Sequence, residues 1–268
     1  MAVELTQEEL KSPLKKYFDR DIAPVPADIF KQIMDGDFGD AKGLHPNDLN
    51  RMFEDGYLDG EFGIFRFEDG GLSLANLTDM PGVTPEMFDW WFAWHALSTM
   101  RYKIWDKDDH YYAQTRNVEQ ALNDKLSMRE RYVGTTHDVK EALLDGEAPV
   151  DVVLHFVDPT EVGFDPEKLK TFKGTIVCTP APATMIHFIR PTATGCELRT
   201  RFYLGYAYEN GKYTKIPDFD TPEMLAKALL IHNVKEFRHL AKILPEVYNE
   251  YKDDFYVGLN DTDHRSCF

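Results

Sequence analysis

Residues 221–252 carry apolar positions at the spacing of one long amphipathic helix. Thr221 is the predicted N-cap and Pro222 the first helical residue, while Pro245 marks a point where the helix bends or restarts. The stripe predicted to face the core consists of Leu225, Leu229, His232, Glu236, Leu240, Ile243 and Val247. Two polar residues therefore stand in the middle of the stripe, at positions where aliphatic side chains are expected.

Between about residue 132 and residue 208 the pattern changes to short alternating segments, separated by turn signals such as Asp145-Gly146 and Thr194-Gly195. The predicted strands are RYVGTTHDVKEAL, PVDVVLHFVD, KGTIVCTP, TMIHFIRP and CELRTRFYLGYAY. Five antiparallel strands followed by a long helix predict an α+β fold in which a curved sheet grips the C-terminal helix. Such an arrangement leaves a cavity between sheet and helix, where a ligand would bind.

Alternation within each predicted strand sorts its side chains by face. The first strand carries His137 and Glu141 on one face. The last strand carries Arg199, Arg201 and Tyr203 on one face. The pattern leaves open whether that face looks inward. If it does, the cavity is polar enough to bind phenols.

Residues 1–83 predict a smaller N-terminal unit ahead of a larger domain, 84–268. Helical patterns at 26–34 and 45–53 precede two alternating runs joined at Asp69-Gly70-Gly71, which is the signature of a β-hairpin. The unit contains no recognisable chemical constellation. It is interpreted as a lid, an oligomer contact or simple packing.

A second helix is predicted to begin at Thr84 and Pro85 and to continue through MFDWWFAWHALSTMRY. The tryptophans of this segment indicate a buried helix, and His95 among them is interpreted as a satisfied core histidine. The segment after it places His110 beside several aspartates in a loop that runs into a strand. A ligand from a scaffolded loop would come from such a position.

Composition narrows the function. The 268 residues carry a net charge of −16, which argues against nucleic acid or an anionic membrane as a partner. The cysteines Cys178, Cys196 and Cys267 form no CxxC motif and predict neither a disulfide framework nor a thiolate metal site. No signal peptide or membrane-spanning run is recognised, so we expect a cytoplasmic protein. Homo-oligomerisation remains open.

The polar pair in the helical stripe suggests a metal site. His232 and Glu236 lie one turn apart, so that an imidazole and a carboxylate can converge on one cation. A carboxylate on a buried face is costly unless something compensates it. The alternatives are a hydrogen-bonded pair in the core, or a stripe rotated so that Glu236 meets water.

Several segments together resemble a known family, the zinc-dependent carbon–carbon hydrolases typified by phloretin hydrolase and 2,4-diacetylphloroglucinol hydrolase. The resemblance covers most of residues 84–250. It is carried by RYKIWDKDDHYY (101–112), YVGTTHDVKE (132–141), HFVDPTEVGFD (155–165), TMIHFIRP (184–191) and IHNVKEF (231–237). The family fold is a helix-grip domain of the Bet v 1 type, which agrees with the α+β pattern.

The resemblance implies a zinc site of two histidines and two glutamates. Carried over to this sequence, the ligands are His110, Glu141, His232 and Glu236. Glu130 is an alternative to Glu141, because it also stands near the right distance after His110. The helix pair that interrupts the apolar stripe is therefore the same pair that the resemblance indicates.

The resemblance also implies roles beside the metal. Tyr102 and Tyr203 match tyrosines that contact phenolic hydroxyls, and His187 matches a second histidine that transfers a proton. The sequence departs from the diacetylphloroglucinol enzymes at Ala113, where they carry an asparagine. This departure favours a bulkier acyl chain, as in phloretin.

The implied reaction is hydrolysis of the bond between an acyl carbon and a polyhydroxylated ring, with an acylated polyphenol as substrate. Two other interpretations remain open from the residues alone. One is a helix-grip carrier of aromatic ligands with no chemistry. The other is a metal-free polyketide cyclase in which His187 and Tyr203 act on a polyketone.

Overall fold

The computed structural model describes residues 2–143 and 148–259. Cys267 and the predicted turn at Asp145-Gly146 lie outside these ranges. The α-helices are α1 (Lys15–Phe18), α2 (Ala27–Asp35), α3 (Pro85–Trp94), α4 (Thr99–Lys103), α5 (Val118–Ala121), α6 (Met128–Tyr132), α7 (Pro166–Thr171) and α8 (Glu223–Tyr251). Short 3-10 helices cover Glu9–Lys11, Pro46–Phe53, His95–Leu97 and Pro159–Val162.

The strands form three antiparallel sheets within the described residues. They are β1 (Gly63–Arg66), β2 (Leu72–Pro81), β3 (His110–Thr115), β4 (Thr136–Glu141), β5 (Val150–His155), β6 (Thr175–Thr179), β7 (Thr184–Pro191), β8 (Gly195–Leu204), β9 (Tyr206–Glu209) and β10 (Lys212–Lys215). The largest sheet has the order β1-β2-β8-β7-β6, a second has the order β3-β4-β5, and β9 and β10 form a hairpin. Mixed α and β structure with antiparallel sheets and a long C-terminal helix is confirmed.

The helix α8 packs on one face of the five-stranded sheet, here called the inner face. The Asn76 side chain on β2 donates a hydrogen bond to Asn233 on α8 at 3.0 Å. The rings of His187 on β7 and Phe237 on α8 lie 4.7 Å apart. Apolar residues of α8, including Leu240, are buried in the same core as the tryptophans of α3. The predicted stripe lies on the buried side of α8 from His232 to Val247, whereas Leu225 at its start is exposed and Leu229 is half-buried.

The opposite, outer face of the same sheet covers a second core. Ile186, Phe188 and Tyr203 point to this side and pack with apolar residues of the 3-10 helix Pro46–Phe53. Alternation along β8 places Arg199 and Arg201 on the outer face too. Both guanidinium groups form ion pairs with Glu61, at 2.5 and 2.6 Å. The inner face thus buries amide and imidazole side chains, whereas the outer face buries arginines that are paired with a glutamate.

The N-terminal part of the chain is joined to this sheet. The hairpin predicted at Asp69-Gly70-Gly71 is confirmed, because β1 and β2 pair across it. Along its whole length β2 also pairs with β8. The division into units 1–83 and 84–268 stays a prediction, and its boundary does not separate two sheets.

Several details of the predicted elements are wrong. The N-cap of α8 is Pro222 rather than Thr221, and the helix does not restart at Pro245 but continues to Tyr251. The last predicted strand is divided at Gly205, whose φ of +80° interrupts the extended chain between β8 and β9. The helix α3 begins as predicted, with the Thr84 side chain accepting a hydrogen bond from the Met87 backbone N–H, but it ends at Trp94, and the rest of the predicted helix is divided into a 3-10 helix and α4.

Cys178 and Cys196 are buried free thiols. None of the helices in the described parts of the chain has both the length and the apolar character needed to cross a membrane.

Candidate metal centre

Strand pairing brings the first two predicted ligands together. His110 begins β3 and Glu141 ends β4, and the antiparallel register places the two residues directly opposite each other. Residues that face each other across such a pair project to the same side of the sheet. The pairing of β3 with β4 therefore closes the sequence gap between the histidine and the glutamate.

The helix α8 supplies the other two residues. His232 and Glu236 are both buried and lie one turn apart. The Oε2 atom of Glu236 is 3.7 Å from His110 Nε2 and 4.0 Å from His232 Nε2. The Oε2 atom of Glu141 is also 4.0 Å from His232 Nε2. Four side chains from β3, β4 and α8 thus converge on one buried point.

Hydrogen bonds fix which nitrogen each histidine offers to that point. His110 Nδ1 lies 3.1 Å from the backbone oxygen of Tyr102, and a carbonyl oxygen only accepts, so Nδ1 carries the hydrogen. His110 Nε2 is left with a lone pair, and it has no hydrogen-bond partner among the described residues. His232 Nδ1 lies 3.4 Å from the Asp109 carboxylate, which turns Nε2 toward the two glutamates.

The electrostatics of the centre show an excess of negative charge. Burial and the carboxylates of Glu141 and Asp106 together raise the pKa of Glu236 to about 8. Burial alone would lower the pKa of His232, yet Asp109, Glu236 and Glu141 raise it to about 9. Both shifts have the direction expected where several carboxylates are buried together.

A divalent cation fits this arrangement. The ligand atoms of His110, Glu141 and His232 all lie within 4.8 Å of one another. Side chains bound to one zinc ion at about 2 Å have donor atoms roughly 3 to 4 Å apart, which is near the separations observed. Imidazole and carboxylate are also donors that zinc accepts. The residues are compatible with a metal ion whose identity the geometry does not define.

The neighbouring aspartates Asp106 and Asp109 have a cationic partner within the chain. Asp106, Asp109 and His232 also place potential ligand atoms within 4.8 Å of one another. The Lys235 ammonium, however, pairs with both aspartates, at 3.1 Å in the case of Asp106. Asp109 thereby becomes the acceptor that orients His232, and the pairing with Lys235 holds that carboxylate in place.

Tyr102 joins the cluster from α4. Its ring stacks on His110 at 3.8 Å with an angle of 4° between the planes. Its hydroxyl donates a hydrogen bond to the Glu141 carboxylate. Burial, followed by the charge of Glu141, raises the pKa of Tyr102 well above its ordinary value. The structure therefore places Tyr102 beside the centre, as a neutral donor.

His187 lies on the inner face of the sheet, away from the four converging groups. Its Nδ1 is 3.0 Å from the Thr200 hydroxyl, and its ring contacts Phe237 and Phe202. Burial lowers the pKa of His187 to about 3, so that the imidazole is neutral. Its ring lies between the sheet and α8, on the side where a ligand was expected.

Tyr203 is not brought to the centre. It lies on the outer face of the sheet with Arg199 and Arg201, and α8 covers the inner face. The register pairs His187 with Thr200, so alternation along β8 turns Tyr203 to the side of the sheet opposite His187. The predicted contact of Tyr203 with a phenolic hydroxyl of the ligand is corrected by this position. The Tyr203 hydroxyl is buried in the second core and has no hydrogen-bond partner in the described chain.

Two other questions from the sequence are answered. Glu130 closes a capping box with Ser127 at the start of α6, so Glu141 is the glutamate that faces His110. His95 is buried and its Nδ1 contacts the Trp91 carbonyl oxygen at 2.9 Å, as expected for a core histidine.

The polar groups that support the cluster were not predicted from the sequence. Asp109 and Lys235 were not assigned, although Asp109 directly precedes His110 and Lys235 directly precedes Glu236. Asn233 was also missed, and its side-chain amide donates to Glu236 at 3.2 Å. Their proximity to the predicted ligands is the only sequence signal that points to them.

The fold and the centre together define a class of protein, in which a long C-terminal helix closes an α+β fold over a buried cluster of histidine and glutamate side chains. The family model described as "DAPG hydrolase PhiG domain" matches residues 44–249. The chain belongs to this family, and the family predicted from the sequence segments is confirmed.

Individual relatives refine this result. The chain is 35% identical over 265 residues to the phloretin hydrolase of Eubacterium ramulus, covering 94% of this chain and 95% of that protein. It is 25% identical over 262 residues to the 2,4-diacetylphloroglucinol hydrolase of Pseudomonas protegens, covering 89% and 84% of the two chains.

Among solved structures, the crystal structure of Ara h 8.0201 matches with a TM-score of 0.34 and 10% identity, covering 64% of this chain and 99% of that one. The helix-grip arrangement remains a prediction.

Proposed function

We propose that this protein is a zinc-dependent hydrolase that cleaves the carbon–carbon bond between an acyl group and a phloroglucinol-type ring. The proposed substrate is phloretin, and the products are phloroglucinol and phloretic acid. The observation that supports this most is the convergence of His110, Glu141, His232 and Glu236 in a chain that is 35% identical to a phloretin hydrolase.

The four converging side chains would hold the zinc ion. His110 and His232 each turn Nε2 to the centre because their Nδ1 atoms are engaged elsewhere. Glu141 and Glu236 offer carboxylate oxygens, whose charge would offset that of the ion. When bound, zinc would polarise the acyl carbonyl and lower the pKa of a water molecule.

The remaining chemistry concerns the ring. An aromatic carbon is a poor leaving group, so an ortho-hydroxyl must first become a ketone while the ring carbon gains a proton. The hydroxyl of water then adds to the acyl carbon, and the carbon–carbon bond breaks. The ring carbon keeps the proton that it gained, and the ring leaves as an enolate whose oxygen takes the remaining proton of the water to give the free phenol.

The chain provides groups for these proton movements. Tyr102 would orient a phenolic hydroxyl beside the acyl carbon, since its own hydroxyl is already positioned by Glu141. His187 would transfer the proton to and from the ring, with the Thr200 hydroxyl holding its Nδ1. Tyr203 has no part in this proposal because it lies on the outer face of the sheet.

The fold supports the same proposal. We interpret the packing of α8 on the inner face as the helix-grip arrangement, with the substrate between helix and sheet. Asn76 and His187 on the sheet contact Asn233 and Phe237 on the helix at this interface. The smaller unit 1–83 would complete the sheet through β1 and β2, and the protein would act in the cytoplasm.

The alternative substrate is 2,4-diacetylphloroglucinol, which the name of the second relative supports. The choice depends on the acyl chain. Ala113 is fully buried on β3, three residues after His110. Its small side chain leaves room for a larger acyl group and offers no hydrogen bond to a second acetyl group, which favours phloretin.

The test is to incubate the purified protein with phloretin and, separately, with 2,4-diacetylphloroglucinol, and to identify the products by mass spectrometry. We expect phloroglucinol and phloretic acid from the first, about one zinc per chain by elemental analysis, and loss of turnover after chelation. A zinc-free protein that binds phloretin unchanged would show a carrier instead. Turnover that ignores chelators would show a metal-free enzyme.

A further inference from the structure

A further buried histidine, His137, lies on the strand that carries Glu141. The two residues are four apart on β4, so their side chains project from the same face. The His137 side chain is 3% exposed, and its ring lies 4.7 Å from that of Phe156 and 5.4 Å from that of His95. The proposed mechanism does not use it.

Hydrogen bonding fixes the tautomer of His137. The Thr135 hydroxyl donates its one proton to the Tyr132 carbonyl oxygen at 2.6 Å. The same hydroxyl lies 3.2 Å from His137 Nε2, so it must accept there, and Nε2 carries the hydrogen. Burial lowers the pKa of His137 well below its ordinary value, which leaves the ring neutral and Nδ1 with a lone pair.

That lone pair is unpaired within the described residues. A buried acceptor without a partner destabilises the folded chain, so a donor other than the described residues is expected to complete it. The neighbouring His95 donates through Nδ1 to the Trp91 carbonyl oxygen, so its Nε2 also has a lone pair. Two neutral acceptors side by side suit an O–H donor and offer nothing to an anion.

We infer that His137 Nδ1 accepts a hydrogen bond from a phenolic hydroxyl of the substrate, on the ring carried by the acyl arm. This inference rests on the proposed function and adds a specificity residue to it. Four strand residues span about 13 Å, so His137 is remote from Glu141 and from the bond that is cleaved. The hydroxyl of the acyl arm is the one that lies at a distance from that bond.

Two variants separate the two nitrogens of His137. In His137→Gln the side-chain amide can replace Nε2 toward Thr135 while the Nδ1 acceptor is lost. In His137→Asn the amide oxygen lies near the position of Nδ1. His155→Gln is the matched control, because His155 forms a similar pair with the Thr136 hydroxyl at 3.0 Å on the exposed face of the same sheet.

The experiment compares kcat/KM for phloretin with that for the analogue lacking the hydroxyl on the acyl arm. We expect His137→Gln to lose about tenfold or more on phloretin and little on the analogue. His137→Asn should recover part of the loss, and His155→Gln should behave as wild type.

Equal losses on both substrates would overturn the inference, since they would show a role in packing. If the loss in kcat/KM of His137→Gln depends instead on a hydroxyl of the phloroglucinol ring, the assignment to the acyl arm is wrong. If the wild-type protein cleaves neither compound, the proposed function fails. Calorimetric affinities for the same pair of compounds then test His137 separately, and the same difference between variants is expected.

Discussion

Glu61 and Glu236 have nearly the same side-chain exposure and opposite pKa shifts. Their side chains are 11% and 10% exposed. Burial alone would raise the pKa of Glu61, yet hydrogen bonds and charge from Arg199 and Arg201 lower it to about 2. Burial and the carboxylates of Glu141 and Asp106 together raise the pKa of Glu236 to about 8.

The difference shows how a structural charge cluster is distinguished from an incomplete site. Near the outer face, Glu61 is surrounded by cations that the chain itself supplies. Under α8, the carboxylates of Glu141 and Asp106 surround Glu236 and raise its pKa. The positive charge of His232 acts against them. Both side chains have little exposure, so the difference lies in the neighbouring charges. Negative neighbours around Glu236 indicate a site for an external cation.

The largest expected effect is that of His232→Ala. The variant removes one predicted ligand, and we expect zinc content and turnover of phloretin to fall together, with turnover reduced by at least about 10³-fold. Elemental analysis and product formation measure the two quantities on the same sample. Full activity in a zinc-free variant would show that the cluster is not a catalytic metal centre.

The second prediction concerns Glu61→Ala. The variant leaves Arg199 and Arg201 buried without their carboxylate, and we expect a loss of about 3 to 5 kcal/mol in the free energy of unfolding. Zinc content per folded chain should not change. Glu236→Gln is the matched variant: because the pKa of Glu236 is about 8, glutamine resembles the protonated side chain, and metal-free stability at pH 7 should change by less than about 1 kcal/mol.

Urea denaturation in the presence of a chelator measures both variants. A larger loss from Glu236→Gln than from Glu61→Ala would contradict the contrast between the two glutamates.

A pair of tyrosine variants sharpens the comparison. Tyr102→Phe removes the donor to Glu141, and we expect zinc affinity or turnover to fall by about 10- to 100-fold. Tyr203→Phe removes a hydroxyl that has no partner in the described chain, so activity should stay near that of wild type. Competition with a chelator and steady-state kinetics give the two values. A strong effect of Tyr203→Phe would place the substrate on the outer face instead.

The smallest effect is expected for the pH dependence of stability. The pKa of His187 falls to about 3 on folding, against about 6.5 in the unfolded chain, so the unfolded state binds the extra proton between these values. Stability contributed in this way is complete above pH 6.5 and is lost as the pH falls. His187→Phe should reduce the slope of the free energy of unfolding against pH by up to about 1.4 kcal/mol per pH unit between pH 6 and 4.5, measured by urea denaturation. An unchanged slope would show that His187 is already protonated in the folded protein.

The sequence predicted the elements that have strong local signals. Helical spacing identified the buried stripe of α8, and the Asp69-Gly70-Gly71 turn identified the β1–β2 hairpin. The interruption of the stripe by His232 and Glu236 indicated a polar centre under the helix. The resemblance to a family added His110 and Glu141, which no local pattern pairs.

What the sequence determined by itself was therefore the long C-terminal helix, the β1–β2 hairpin, the family and the four residues that converge. Only the tertiary structure decided the face of β8, because an alternating strand buried on both sides gives no sign of which side the helix covers. Only the structure showed Asp109, Lys235 and the lone pair of His137. Hydrogen bonds and charges between distant segments exist only after strand pairing and helix packing have brought those segments together.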